Sequence, residues 1–183
     1  MNNLKLKKPT NHIHWLQIYA LYLRAFPPAE RKPFRVIRKM FGQGRADVWR
    51  IEAEGCFAGF ATTVNGGGLV LLDYFAVPAR CRGKGIGSAA LGELLGLYAD
   101  KGFFAEIEST RQTGPGQDSR EKRKRFYRAA GMEEMNVFSE VFGVKMELLG
   151  IRCNLNFEGY RAFYRDHYSP WAAKHIQEDR DVQ

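Results

Sequence analysis

The sequence predicts an α/β fold: a mixed, mostly antiparallel sheet of about seven strands, with one parallel crossover and flanking helices. Three observations carry this. Apolar residues recur at helical spacing before residue 45 and then change to strand-like runs. The most apolar run, LVLLDYFAV, is followed by a helical segment and a further strand, which makes one parallel crossover. The chain of 183 residues, 45% hydrophobic and 13% aromatic, is long enough to bury one core and too aromatic for disorder.

Leu4-Lys5-Leu6-Lys7 alternates and reads as a first strand. Asn11 is placed to cap a helix with Trp15, Ile18, Tyr19, Tyr22 and Phe26 on one stripe. Pro27-Pro28 stops it, and Pro33 opens a second helix carrying Phe34, Ile37, Met40 and Phe41. Residues 48–54, 56–64 and 69–77 read as a meander turned at Glu54-Gly55 and Asn65 to Gly68, its third strand central. A basic loop, 78–84, leads into a helix over 86–99 with Ala90, Leu91, Leu94, Leu95 and Tyr98 inward and Gly102 as its cap. A strand over 103–109 and a loop over 110–118 follow. Asp118 and Glu121 have capping-box spacing for a helix ending at Gly131. Residues 136–142 and 144–149 read as a hairpin turned at Gly143, and 156–168 as a last helix before a charged tail. This divides the chain into a domain over 1–149 and a helical extension, 150–183, packed on it.

The 28 Lys and Arg against 20 Asp and Glu give a net charge of +8. Such a surface favours an anionic partner: nucleic acid, a phosphate-bearing cofactor or an acidic substrate. Cys56, Cys81 and Cys153 form no CxxC and no zinc spacing with histidine, so no metal is expected and a reducing cytosol is the simplest setting. The start of the chain lacks the apolar stretch of a signal peptide. The longest uncharged run, 55–72, is too rich in glycine and threonine for a membrane helix. A cytoplasmic protein without membrane contact is expected.

Arg80-Cys81-Arg82-Gly83-Lys84-Gly85-Ile86-Gly87-Ser88 lies between a strand and a helix. Glycines let a backbone approach a ligand and turn its N–H groups toward it. A helix start adds unpaired donors, and three cations add charge. The pattern is that of a phosphate or pyrophosphate site. A Walker A loop does not fit, since Gly83-Lys84 is followed by Gly85 and Pro78 stands where the first glycine belongs. Gly85-Ile86-Gly87-Ser88-Ala89-Ala90 fits a dinucleotide fingerprint, with Glu106 about twenty residues on. However, residues 78–84 intervene after the strand, and repeated βαβ units are missing.

Arg82-x-x-Gly85-x-Gly87, after an apolar strand and opening a helix, resembles the acyl-CoA loop of the GNAT N-acetyltransferases. LDYFAVPARCRGKGIGSAAL is similar to that family's central strand, loop and helix. Phe126-Tyr127-Arg128-Ala129-Ala130-Gly131-Met132 is similar to its later F-Y-x-x-x-G-F segment, with Met132 for Phe. The element order matches over about residues 4–149. Phe26-Pro27-Pro28, Glu30-Arg31 and Tyr164 through Tyr168-Ser169-Pro170 resemble a bacterial branch. The resemblance implies a twisted GNAT-like sheet and acetyl-CoA as cosubstrate. Its pyrophosphate would lie on amides of Arg82, Gly83, Lys84, Gly85, Ile86, Gly87 and Ser88. Its pantetheine arm would lie along Phe75, Ala76 and Val77, with a bulge aiming the Val77 N–H at the thioester carbonyl. An amine acceptor then attacks directly in a ternary complex, and Tyr127 is the implied general acid. Arg120 and Arg123 stand where the family often has Asn and a small residue, a departure in the contacts to CoA.

The amine needs a base, because an alkyl ammonium near pKa ~10 is no nucleophile. Glu106 and Glu108 share one face of their strand and are the candidates, Glu108 preferred, with Asp73 a weaker third. The bland alternative is that both glutamates pair with basic residues. The run Arg120, Lys122, Arg123, Lys124, Arg125, Arg128 suits a solvated face, a CoA phosphate or a nucleic acid. Two other functions stay open: a non-catalytic acyl-CoA sensor of the same fold, and, less favoured, a basic nucleic-acid-binding protein. The acceptor is not readable, and the family's frequent homodimers leave the oligomeric state open.

Overall fold

The computed structural model describes residues 4–179. It has eight strands, β1 (Leu4–Lys7), β2 (Ala46–Ala53), β3 (Cys56–Gly66), β4 (Leu69–Ala76), β5 (Gly102–Glu108), β6 (Glu133–Val141), β7 (Val144–Ile151) and β8 (Ile176–Glu178). The six α-helices are α1 (His12–Ala25), α2 (Phe34–Gly42), α3 (Ile86–Leu97), α4 (Gln117–Ala129), α5 (Phe157–His167) and α6 (Pro170–Lys174). The chain divides into two compact units, one of residues up to 65 with 72–99, the other of 66–71 with 100 onward.

In the first unit the strands run β1-β2-β3-β4. Ile18, Leu21 and Tyr22 of α1 and Ile37 of α2 bury against Val48, Phe60, Tyr74 and Ala76. Ile51 and Ala58 instead pack with Ala90 of α3, joined by Leu4, Leu6, Phe75, Cys81 and Ile86. Ala58 and Phe60 are two apart yet serve different clusters. A register shift between Ile51 and Glu52 explains this, because the extra residue in β3 changes which face follows it. The tyrosines pin the link between α1 and α2. Tyr22 donates to the Lys32 carbonyl at 2.8 Å, and Tyr74 donates to the Glu30 carbonyl at 2.9 Å and accepts from the Lys32 amide at 3.0 Å. Asp73 is paired with Lys32, a structural role for that weaker base candidate.

In the second unit β5, β7, β6 and β8 lie side by side, and the start of β4 flanks β5 in the one parallel pair, with the Gly102 amide on the Gly68 carbonyl at 3.0 Å. Phe104 and Glu106 of β5 face α5: the Phe104 ring meets Phe163 edge-on at 5.2 Å. Lys124 of α4 bonds Glu147 of β7 at 2.9 Å, and Glu147 also accepts the Thr110 amide at 2.8 Å. Burial works against the Lys124 charge, but Glu134 and Glu147 outweigh it and raise the lysine pKa.

Several expectations are corrected. The Asp118 capping box is not used: α4 starts two residues earlier, with left-handed Gly116 (φ +83°) at the cap and Asp118 in the first turn. Gly102 opens β5, and α3 ends at Leu97 with Tyr98 as its cap. Tyr19 is exposed on α1 while Leu21 is buried. The tail is not merely charged chain: α6 is capped by Ser169, and β8 pairs antiparallel with β6.

Asp47 accepts from Lys8, from Tyr98 at 2.7 Å and from Asn65 at 2.8 Å. Burial opposes its charge, but these donors prevail and hold its pKa below 3.8. A depressed carboxylate contributes stability that is present above its unfolded value and lost as pH falls through its folded value. Asp47→Asn should therefore cost about 1–2 kcal/mol at pH 7. The Tm difference from wild type should shrink below about pH 4, as thermal melts across pH will show.

Candidate functional site

In the first unit, β4 ends at Ala76, and Val77 leads into a 3-10 turn over Ala79–Cys81. Left-handed backbone at Gly83 (φ +72°) and Gly85 (φ +74°) then turns the chain into α3. Gly85 is the cap residue and no side chain bonds the first amides of the helix. Those amides are donors without intrahelical partners and carry the positive end of the helix dipole. Residues 82–85 and Ser88 are exposed, while Ile86 and Gly87 are half-buried. The Arg82 guanidinium donates to the Val77 carbonyl at 2.9 Å, so this arginine braces the loop across the end of β4. Cys81 packs in the apolar cluster with Phe75 and Ile86, the role of a small hydrophobe. The backbone cradle thus rests on an apolar footing and opens to solvent.

The structure adds Gly59, which sequence reading passed over. A Cβ there would lie 2.5 Å from the Ala76 carbonyl oxygen, so β3 approaches the end of β4 as only glycine permits. A lone glycine inside a strand was the available signal. The register shift of the β2/β3 pair falls beside this glycine.

In the second unit, Glu106 and Glu108 lie on one face of β5, as their alternation predicts, and their surroundings differ. Tyr160 donates to Glu106 Oε1 and Tyr164 to Glu106 Oε2, each at 2.9 Å. Glu108 Oε2 accepts from Arg123 of α4 at 3.1 Å. Tyr127 is buried on α4, with its ring 5.2 Å from Phe126. Burial pushes its pKa up to about 12, against a smaller opposing effect of Arg123. Tyr160 and Tyr164 were not anticipated as site residues. Their i, i+4 spacing is a helical signal, but which strand they would face depends on tertiary packing.

The basic run on α4 is largely occupied within the second unit. Arg120 is buried and donates to the carbonyls of Gln112 at 2.7 Å and Pro115 at 3.0 Å, fastening the loop ahead of the helix. Arg123 pairs with Glu108, Lys124 with Glu134 and Glu147, and Arg128 with Glu134. Lys122 and Arg125 are exposed. At the last hairpin, a register shift between Glu134 and Phe138 interrupts the β6/β7 ladder. A cleft of about 860 Å³ lies there, lined in part by Arg111, Asn136, Phe138, Asn154 and Asp179. Among the described residues no group of His, Cys, Asp and Glu is placed to hold a metal, and no helix is long and apolar enough to cross a membrane.

A strand, a glycine-turned amide loop and a helix, followed by a parallel partner strand, are the arrangement that the resemblance to the GNAT acyltransferases implied. Residues 15–132 match the acetyltransferase (GNAT) family, and the chain belongs to that family. Among solved structures, it is similar to a GNAT-family protein of Bacteroides thetaiotaomicron, at 17% identity and a TM-score of 0.73, over 93% of this chain and 98% of the other. A Bacillus subtilis acetyltransferase in complex with CoA aligns at 14% identity and a TM-score of 0.61, over 82% and 98%. A GNAT acetyltransferase of Elizabethkingia anophelis with acetyl-CoA bound aligns at 13% and 0.61, over 83% and 98%. At these identities the likeness is one of fold. No curated protein sequence matches the chain.

Gly59→Ala should cost about 2 kcal/mol and lower Tm by roughly 4–8 °C, since the opposing atom is backbone and cannot swing away. Gly92→Ala, in open space within α3, should instead raise Tm slightly, through helix propensity alone. Parallel melts of the two variants check the contrast.

Proposed function

We propose that this protein transfers the acetyl group of acetyl-CoA to a primary amine, by direct attack within a ternary complex. The observation that carries the reading is the open, uncapped amide cluster ahead of α3 in a chain of this family. Backbone donors over Gly83 to Ser88, with the Arg82 and Lys84 charges, match a pyrophosphate, the Arg82 amide being already bonded to the Ala79 carbonyl at 3.1 Å. The pantetheine arm would lie along Phe75, Ala76 and Val77, leaving the Val77 N–H as the oxyanion donor. Two solved structures of the same fold that hold CoA or acetyl-CoA support acetyl-CoA as the cosubstrate.

The attacking ammonium must first lose a proton. In this reading Glu106 receives it, because its partners are neutral hydroxyls whereas Glu108 is ion-paired with the Arg123 guanidinium. The preference for Glu108 is thereby revised. Tyr127 stays protonated at neutral pH, as a donor to the departing thiolate must. Full transfer from a phenol near 12 to a thiolate of ordinary pKa ~8.5 is uphill, so its main contribution is a hydrogen bond to the developing charge. The occupied cations of α4 weigh against the nucleic-acid reading.

Acetyl-CoA at a hundredfold excess over its Kd should stabilise the protein by about 2.7 kcal/mol, a rise in Tm of roughly 5–10 °C. NADH should give no shift, and Gly85→Glu should remove the acetyl-CoA shift. Glu106→Gln should keep the shift and lose about 10²–10⁴ in kcat toward amines. No shift with acetyl-CoA contradicts the cosubstrate. A normal shift with no turnover of any amine would leave the acyl-CoA sensor as the function.

A further inference from the structure

Residues 156–179 lie beyond the part of the chain that matches the family, yet they reach one of its candidate catalytic groups. Helix α5 starts at the Asn156 cap, whose side chain accepts the Gly159 amide at 2.9 Å. Its inner face carries Tyr160, Phe163 and Tyr164, all buried. Phe163 and Tyr160 set their rings edge-on to Phe104 of β5, at 5.2 and 6.5 Å. One strand step further, the two tyrosine hydroxyls meet the two oxygens of Glu106. Two aromatic contacts fix the helix on the strand, and two hydroxyls fix the carboxylate to the helix.

We propose that Tyr160 and Tyr164 are positioning residues of the acetyl-transfer site, and that α5 completes that site by holding the Glu106 carboxylate through one hydroxyl on each oxygen. This rests on the reading of Glu106 as the base. A carboxylate on an isolated strand face can turn about its last torsion. With both oxygens held, its plane is set and the direction from which it can take a proton is fixed. Two donors also favour its charged form, which a base must present at rest. Burial pushes the Tyr160 pKa well above 10, so its hydroxyl keeps the proton it donates.

The surroundings of Glu106 within this unit bear on any titration. Glu108 is two residues along the same face of β5, with Arg123 of α4 paired to it. Leu148 is opposite on β7, and its neighbour Glu147 is opposite Ile107 and paired with Lys124. Tyr168 stacks on Tyr164 at 4.7 Å. Tyr160 and Tyr164 both donate directly to the carboxylate.

The test uses the full chain with glutamate labelled at the side-chain carboxyl carbon, the Glu106 resonance being assigned by its loss in Glu106→Gln. Tyr160→Phe and Tyr164→Phe each remove one donor and keep the ring. The Glu106 titration midpoint should move up by about 1 pH unit in each. The acid limb of kcat/KM should move with it, measured as thiol release from acetyl-CoA with a diamine, an amino-acid amide and an aminosugar as acceptors. The KM for acetyl-CoA should stay the same, since neither tyrosine is assigned to its binding. If Tyr160→Phe does not fold, as a melt will show, Tyr164→Phe alone carries the test. An unmoved midpoint overturns the inference. A moved midpoint with Glu106→Gln still fully active shows that Glu106 is held but is not the base, which overturns the catalytic role assigned here and the reading it rests on. Absence of turnover with every acceptor overturns the transferase reading, while the resonance still decides whether the tyrosines hold the carboxylate.

Discussion

Helix α3 begins on left-handed glycine with no side chain to satisfy its first amides, and the functional account depends on that exposed set of donors. Unpaired backbone groups need a partner, and here solvent or an anion must supply it. The surrounding structure keeps them that way. Left-handed backbone at Gly83 and Gly85 aims the chain, the Arg82 bond to the Val77 carbonyl braces it, and Phe75, Cys81 and Ile86 give it a fixed apolar base. Gly59 lets the neighbouring strand close up on the end of β4. The Arg82 bond and the apolar base hold this backbone in place, and donors held in place lose little freedom when they bind.

The second unit handles charge differently. Its helix α4 looks like a free cationic surface when its residues are counted. In the fold, Arg120 fastens a loop, Arg123 neutralises one strand carboxylate, and Lys124 forms a well-bonded pair with Glu147. The count of cations on this helix therefore overstates the positive charge it offers a partner. The carboxylates of β5 are divided in the same way. Glu108 faces a cation and Glu106 faces two hydroxyls.

Much of this was legible in the sequence because it is local. The meander, the crossover, the inward stripe of α3 and the glycine loop follow from periods and turn residues within short windows. What escaped detection depends on distant chain. Strand β8 has three residues and exists because the edge of β6 offers it backbone partners. The capping-box spacing at Asp118 was outweighed by Gly116, whose left-handed backbone starts α4 earlier. The register shift at Ile51 and Glu52 redirects alternation without a turn residue to announce it. Tyr160 and Tyr164 were visible as helix residues, but their partner lies more than fifty positions away. Alternation placed Glu106 and Glu108 on one face correctly, and only packing could tell them apart.

Amide hydrogen exchange with and without acetyl-CoA tests the central claim most directly, because it reads the backbone donors themselves. Protection on binding should concentrate at residues 82–88 and at 75–77, with the first amides of α3 slowing most. Protection confined to the exposed face of α4, or none at the loop at saturating acetyl-CoA, would contradict the account.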